Sequence, residues 1–484
     1  MHAPGFIQNR TTLTCAVVTE RSMMSAVYPT LLLCAYGFFS SMRPSEPFLT
    51  AYLMGADKNL TETQVVNEIY PVWTYSYLAL LFPVFLATDY LCYKPVLVLQ
   101  ACSLVLTYVM LWKAQGILAM QLLELFFGLA TASEVAYYSY IYSVVEPELY
   151  QRVTGYCRSV TLFGSAAGSL AGQLLLLWTE TELVHLVIFT LASAAVASVA
   201  PWFLPMPKRS LFFHKSPSAA EEPAAGSGSG AEKLEDSESR ASMVTGRGRR
   251  PVQVLRMVFD DFVQCYKCRT LLAWSVWWAL ATCGYFQIIN YAQVVWEDIR
   301  PSSHHHIYNG YVETLSTLLG ALAALLVGYL PVSWARWGEL LLWILSLLMA
   351  ACVFVMAWVD NIWTCYGSYV VFRTVYMLLI TVATYQIAAS LSMQRYALVF
   401  GVNTFGALLL WTLITVVVVD SAGLGLDVHT QFIIYGGYFT AISVIFLLAG
   451  LYRVFSRRSN EEVLTGDLRE SSTPLNGEAT ATVE

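Results

Sequence analysis

The chain has 484 residues, of which 57% are hydrophobic and only 12% are Asp, Glu, Lys or Arg, with a formal net charge of -6. Ordinary soluble domains carry about 25% charged residues, and a surface facing water cannot be covered with half that share. A soluble globular protein, a disordered chain and a nucleic-acid binder are therefore excluded, and an all-α, polytopic membrane protein remains.

In chain order, residues 1–26 are polar and mixed, without the apolar core and cleavage site of a secretory signal. Apolar runs of roughly the length a membrane helix needs, about 20 residues, follow at 27–50, 69–88, 95–112, 118–141, 152–178 and 182–204. Residues 205–270 are rich in Gly, Ser and Glu and end in GRGRR, so this stretch cannot bury a core and reads as a flexible linker. A second set of runs lies at 271–294, 308–330, 337–357, 362–385, 397–419 and 430–453. The expected organisation is thus a tail (1–26), six helices (27–204), a linker (205–270), six helices (271–455) and a polar tail (456–484).

Lys and Arg set the orientation. They gather in the linker (Lys208, Arg209, Lys215, Arg247, Arg249, Arg250, Arg256), after the fourth run (Arg152, Arg158) and after the last (Arg453, Arg457, Arg458). The opposite loops are poor in them and hold Asp57, Glu180, Glu182, Glu297, Asp298, Asp360, Asp420 and Asp427. Both termini and the linker are expected in the cytoplasm. Asn59-Leu60-Thr61 is a glycosylation sequon on the outer side, whereas Asn9-Arg10-Thr11 lies on the inner side and should stay unmodified. Two sets of six helices joined by a long cytoplasmic linker is the layout of the major facilitator fold, in which substrate binds between the halves near the bilayer midplane. Gly164, Gly168 and Gly172 repeat a small-xxx-small pattern that predicts close helix packing in the fifth span.

A charge inside a span is expensive, so each one needs a reason. Arg43 and Glu46 stand at i, i+3 between Pro44 and Pro47 at the end of the first run. They read either as a structural pair at a kink or as a polar site on a broken helix. Glu124 and Glu134 share the fourth run; on one continuous helix they would be ~15 Å apart along the axis and ~80° apart around it, able to face one cavity at two depths. Arg373 is the deep cation of the second half, with a fourth-span acid as its structural partner in the simplest reading. Glu46, Trp73, Glu124 and Asn290 fall at one outer level, with Tyr70 flanking Pro71 beside Trp73 and Tyr108 slightly deeper. Acids, an amide and aromatic faces at one level suit a flat cation through charge, stacking and cation–π contact. Most aromatics in so aromatic a chain are packing or interface residues. The CxxC at Cys265 and Cys268 has no further ligands nearby, and His304, His305 and His306 are adjacent and cannot easily converge on one metal ion. No P-loop, hydrolase or redox constellation is present, and neither an enzyme nor a bound cofactor is expected.

Several segments are more specific: GFFSSMRPSEPFLTAYL, DKNLTETQVVNEIYPVWTYSYL, TDYLCYKPV, EVAYYSYIYSVV, YQRVTGYCRSVTL, PMPKRSLFFH, WSVWWALATCGYFQIINY and RYALVFGVNTF. Through roughly 28–455 the chain resembles the vertebrate folate/thiamine carrier family, also called the reduced folate carrier family. The resemblance implies a plasma-membrane glycoprotein that takes up thiamine by alternating access across the lipid bilayer. It implies Glu124 and Asn290 on the aminopyrimidine, Trp73 and Tyr70 at stacking positions, Glu46 and Glu134 at further polar positions, and Thr107 and Tyr108 on the third-span side. Departures from the thiamine-carrying pattern are Tyr70 for Phe, Tyr108 for Trp and Phe127 for Tyr. The folate-carrying branch has Arg where this chain has Glu134 and Lys where it has Met393, which removes cations a dianion would need. The remaining alternatives are a folate or organic-anion exchanger and a non-transporting receptor on a carrier fold. Exchange of protons, with Glu134 as carrier, stays open against facilitated diffusion, as does carriage of related cations such as pyridoxine.

Overall fold

A computed structural model describes residues 27–91, 93–144, 150–178, 182–206, 266–329, 334–389 and 393–471. The expected N-terminal tail, most of the linker, Cys265 and the end of the C-terminal tail lie outside these residues. Helix α1 covers 27–41. It is followed by α2 (Leu49–Met54), α3 (Tyr70–Tyr90), α4 (Lys94–Lys113), α5 (Ile117–Ala132), α6 (Glu134–Val144), α7 (Tyr150–Trp178) and α8 (Leu183–Phe203). The second half has α9 (Arg269–Ile299), α10 (Asn309–Tyr329), α11 (Trp334–Trp358), α12 (Ile362–Ala389), α13 (Met393–Ile414) and α14 (Val428–Ser471). Among the described residues, 11 helical stretches are long and apolar enough to cross a membrane.

Those stretches fall on the expected runs, from Gln64–Thr88 to Val428–Tyr452, with one exception. The run 27–50 is not a continuous span. α1 stops before Met42, and the chain passes through a bend into a tight turn at Glu46–Phe48 and then α2. Pro44 and Pro47 are the cause, since neither has an N–H and each disfavours helix in the residue before it. The fourth span is also interrupted, at Ser133, between α5 and α6. The Ser133 hydroxyl donates back to the Leu129 carbonyl at 2.8 Å, a bond that commonly bends helices. At the C-terminal end α14 continues well past the apolar run, to Ser471, where a polar tail was expected.

The exterior is apolar, and some helices turn their polar groups inward. On α10, Leu315, Leu318, Leu322 and Leu325 are exposed, while Thr314, Ser316 and Thr317 are buried. This inverted distribution is what lipid as solvent selects. Each half packs mainly on itself, and the halves meet through α3 with α13 and α7 with α10. The two pairs correspond under an exchange of the halves, because α3 and α10 open the second and eighth runs and α7 and α13 fill the fifth and eleventh.

The break in the first span lies on the glycine stripe of α7. A Cβ on Gly164 would stand 2.5 Å from the Phe38 carbonyl oxygen, on Gly168 2.6 Å from the Arg43 nitrogen, and on Gly172 2.5 Å from the Pro44 carbonyl oxygen. All three targets are backbone, which cannot rotate away. The stripe thus seats the last turn of α1 and the break that follows it, residues 38–44, as the small-xxx-small pattern predicts.

The end of the molecule away from the termini is closed by bonds between the halves. Two wide helical turns, Gln64–Ile69 and Thr415–Val419, meet there. The Asn67 side chain donates to the Val419 carbonyl, and the Asn67 carbonyl accepts the Ser421 N–H at 3.3 Å. Tyr75 donates to Asp420. Asn309 Nδ2 donates to the Pro47 carbonyl at 3.0 Å, and Gln173 bonds both Ile307 and Gly310 at 2.8 and 2.9 Å. Asn59 is exposed in the same distal region, consistent with the accessibility a sequon needs. Among the described residues every hydrogen bond between the halves has its second-half partner within about two turns of this distal end. Gly168→Val should cost the folded protein at least about 1–3 kcal/mol through forced separation of the first and fifth spans. Gly155→Ala, which meets nothing within 4 Å, should be neutral or better. Thermal unfolding of the detergent-purified proteins distinguishes them.

Candidate functional site

The broken first span gathers one polar group. Arg43 Nη1 donates to Glu46 Oε1 at 2.6 Å and Arg43 Nε to the Ser40 carbonyl at 2.6 Å. Tyr108 of α4 donates its hydroxyl to the same Glu46 oxygen at 3.4 Å. The guanidinium lies over the Phe127 ring of α5, 5.8 Å from its centroid. The pair is both structural and accessible: the Arg43 and Glu46 side chains keep 25% and 42% of their exposure. Phe127 faces Trp73 of α3 at 5.5 Å, and Trp73 meets Trp411 of α13 edge-on at 5.1 Å, so this aromatic wall crosses from one half to the other. The Trp73 indole N–H donates to the Thr131 hydroxyl at 3.2 Å, which fixes the ring.

A second group lies beside it. Glu124 of α5 is buried, and among the described residues its carboxylate has no hydrogen-bond donor and no cation against it. Tyr70 and Tyr291 stand 6.0 Å apart, one from each half, and both are within electrostatic range of Glu124. The Tyr70 hydroxyl shares a proton with the Thr50 hydroxyl at 2.9 Å. The Asn290 side chain sits next to the Tyr291 hydroxyl without hydrogen-bond geometry, and both polar atoms are buried without a partner. Unmet buried donors and acceptors are rare in folded proteins and call for an explanation. Here a carboxylate, an amide and a phenol with unused bonding capacity converge where the two halves meet.

Two expected residues stand apart. Thr107 is buried and its hydroxyl donates to the Ser103 carbonyl at 2.9 Å, so its proton is committed inside α4. Glu134, the first residue of α6, is exposed and within electrostatic range of Arg43 and Arg158. It does not pair with Arg373, nor does any other fourth-span acid among the described residues. Arg373 of α12 instead forms an ion pair with Glu313 of α10 and donates to the Ser316 hydroxyl at 3.0 Å. Tyr369 donates to the other Glu313 oxygen at 2.6 Å. The simplest sequence reading of Arg373 is corrected accordingly. The correction was accessible, because Glu313 lies inside the run 308–330 and is flagged by the same rule that singles out Glu124. Gln293 and Asn309 were also missed; a carboxamide is a weaker signal than a charge. The His304–His306 run is an exposed loop.

The Glu313–Arg373 pair gives a direct test. Glu313→Gln leaves Arg373 buried without its counter-charge and should destabilise the protein by about 3–5 kcal/mol, while the double change Glu313→Gln with Arg373→Met should recover most of that loss. Melting temperatures of the three purified proteins provide the readout.

Residues 25–434 match the reduced folate carrier family. The chain is 54% identical to thiamine transporter 1 of Homo sapiens over 482 residues, covering 94% of this chain and 97% of that one. It is 48% identical to thiamine transporter 2 of Homo sapiens over 461 residues, covering 91% and 93%. Among solved structures its fold is similar to that of the POT family transporter PepTSo, with a TM-score of 0.61 at 14% identity, covering 88% of this chain and 98% of that one. So low an identity speaks to fold alone: a multi-pass, all-α membrane protein with the major facilitator architecture. With the family match running through most of the chain and relatives this similar over nearly its whole length, the protein belongs to the reduced folate carrier family.

Proposed function

We propose that this protein is a plasma-membrane uptake carrier for thiamine, working by alternating access between two six-helix halves, with both termini and the 205–270 linker in the cytoplasm. The observation that carries the reading is buried Glu124, with no cation against it among the described residues, together with the buried Asn290 Nδ2, which has no hydrogen-bond partner, where the halves meet. An aminopyrimidine offers an amino donor and ring nitrogens on one edge, which a carboxylate and an amide can bond together. Tyr70 and Trp73 present ring faces beside them for stacking.

Electrostatics supports a cation. Among the described residues Glu46 is paired with Arg43 and Arg373 with Glu313, so Glu124 is the acid of the central group with no cation against it. At an effective dielectric of about 20 a unit pair at 4 Å is worth roughly 4 kcal/mol. A thiazolium cation gains from this field, and a folate dianion is repelled by it. The names of the similar carriers, thiamine transporters 1 and 2, agree with that choice. Closure of the distal end corresponds to the inward-facing stage of the cycle, with the distal loops outside and Asn59 glycosylated there.

Uptake of labelled thiamine and labelled folate, measured in parallel in cells expressing the chain, tests the proposal. Thiamine should accumulate, and excess unlabelled folate should not compete. Glu124→Gln and Trp73→Ala should each lower thiamine uptake at least tenfold, about 1.4 kcal/mol, at unchanged surface amount. Folate uptake, or full thiamine uptake by both variants, would show that the assigned pocket is wrong.

A further inference from the structure

The turn that restarts the first span lacks a helix bond. In a regular helix the Thr50 N–H would donate to the Glu46 carbonyl four residues back. Here the Glu46 carbonyl accepts from the Leu49 N–H in a tighter turn. The Thr50 N–H turns instead to Gln293 Oε1 at 3.4 Å, and Gln293 Nε2 donates to the Glu46 carbonyl at 2.9 Å. One carboxamide from α9 thus stands between the two backbone groups, presenting a donor to the acceptor and an acceptor to the donor. Asn309 repeats the device one residue on: it donates to the Pro47 carbonyl at 3.0 Å while its own oxygen takes the Tyr366 hydroxyl at 2.7 Å. Ser45, by contrast, is satisfied within its own half, its N–H donating to the Thr190 hydroxyl at 3.1 Å.

We infer that Gln293 is a positioning residue of the distal gate, its carboxamide completing the interrupted turn of the first span only while the halves are closed. Opening the distal end draws α9 away from 46–50. The freed Thr50 N–H can then bond the Glu46 carbonyl, which already accepts from the Leu49 N–H, or water, so the turn has a second satisfied arrangement. Gln293 lies three residues after Asn290 on one rigid helix, and the backbone it holds carries Glu46. A solute bridging Asn290 and the first-span group would pull on the same turn that the latch secures. The gate function itself does not depend on which solute is carried.

The test reads the gate directly. Ile307 of the second half is buried among Phe48, Ala51 and Leu186 of the first, so Ile307→Cys is shielded while the distal end is closed. Its labelling by a membrane-impermeant methanethiosulfonate on intact cells measures opening. Adding Gln293→Met, which keeps length but neither donates nor accepts, should raise the labelling rate at least fivefold. Gln293→Glu should do likewise, because a carboxylate can accept from Thr50 but cannot donate to the Glu46 carbonyl. Gln121→Met, which removes a bond to the Glu68 carbonyl within one half, should leave the rate unchanged. Thiamine uptake by Gln293→Met should show a lower maximal rate with an unchanged or lower KM. Equal labelling in the parent and both Gln293 variants would overturn the inference. So would loss of both variants from the surface while Gln121→Met is normal, since the residue would then hold the fold rather than one state of it. Asn59→Cys, on the exposed distal loop, should label in every background; failure there would fault the proposed orientation instead.

Discussion

A membrane offers no water to backbone groups, and in this protein that constraint falls hardest on residues 42–50. Two prolines make a continuous helix impossible there, so several N–H and carbonyl groups must find partners elsewhere. The partners that several of them find organise the molecule. The glycines of α7 let the fifth span approach the bare backbone, Thr190 satisfies one N–H from within the same half, and Gln293 and Asn309 satisfy others from across the interface. The same break turns Arg43 and Glu46 toward Tyr108 and Phe127. The polar group, the seat of the first span and part of the contact between the halves are consequences of one interruption.

Much of this was legible before any coordinates. Apolar run length alone located the membrane helices, because a span's requirement for apolar residues is nearly independent of what it packs against. The glycine repeat in the fifth span and the Arg43–Glu46 pair were legible for a similar reason, since their signals are local. The breaks were only half visible. Pro44 and Pro47 announce one, but the interruption at Ser133 depends on a hydroxyl choosing its own helix carbonyl, which many serines in helices do without breaking them. Partnerships across the chain were illegible: nothing near Gln293 indicates that its amide fits a gap some 247 positions earlier. Glu313 is a different case, an acid inside an apolar run, where a buried charge requires a cation beside it.

The Glu313 pairing decides the electrostatics of the second half. Arg373 is paired with Glu313, which Tyr369 braces, so its charge is cancelled at short range, with Nη1 held by Glu313 and Ser316. The first half has no such balance at its centre, because Arg43 is bound to Glu46 and Glu124 has no cation against it among the described residues. The asymmetry between the halves, rather than the total count of charges, determines what kind of solute the interface can hold.

The site and the distal closure also share their parts. α9 carries Asn290 with its Nδ2 unpartnered and, one turn further, Gln293 with both ends of its amide bonded across the interface. The first span carries Glu46, whose side chain belongs to the polar group and whose carbonyl belongs to the latch. A carrier must change its accessible side only through states in which backbone groups remain satisfied, and a broken helix supplies two such states for the same residues. In one, the missing turn is completed by the other half; in the other, by the span itself. Coupling between occupancy and closure then needs no long pathway, because a bound solute and the latch act on the two faces of a single turn.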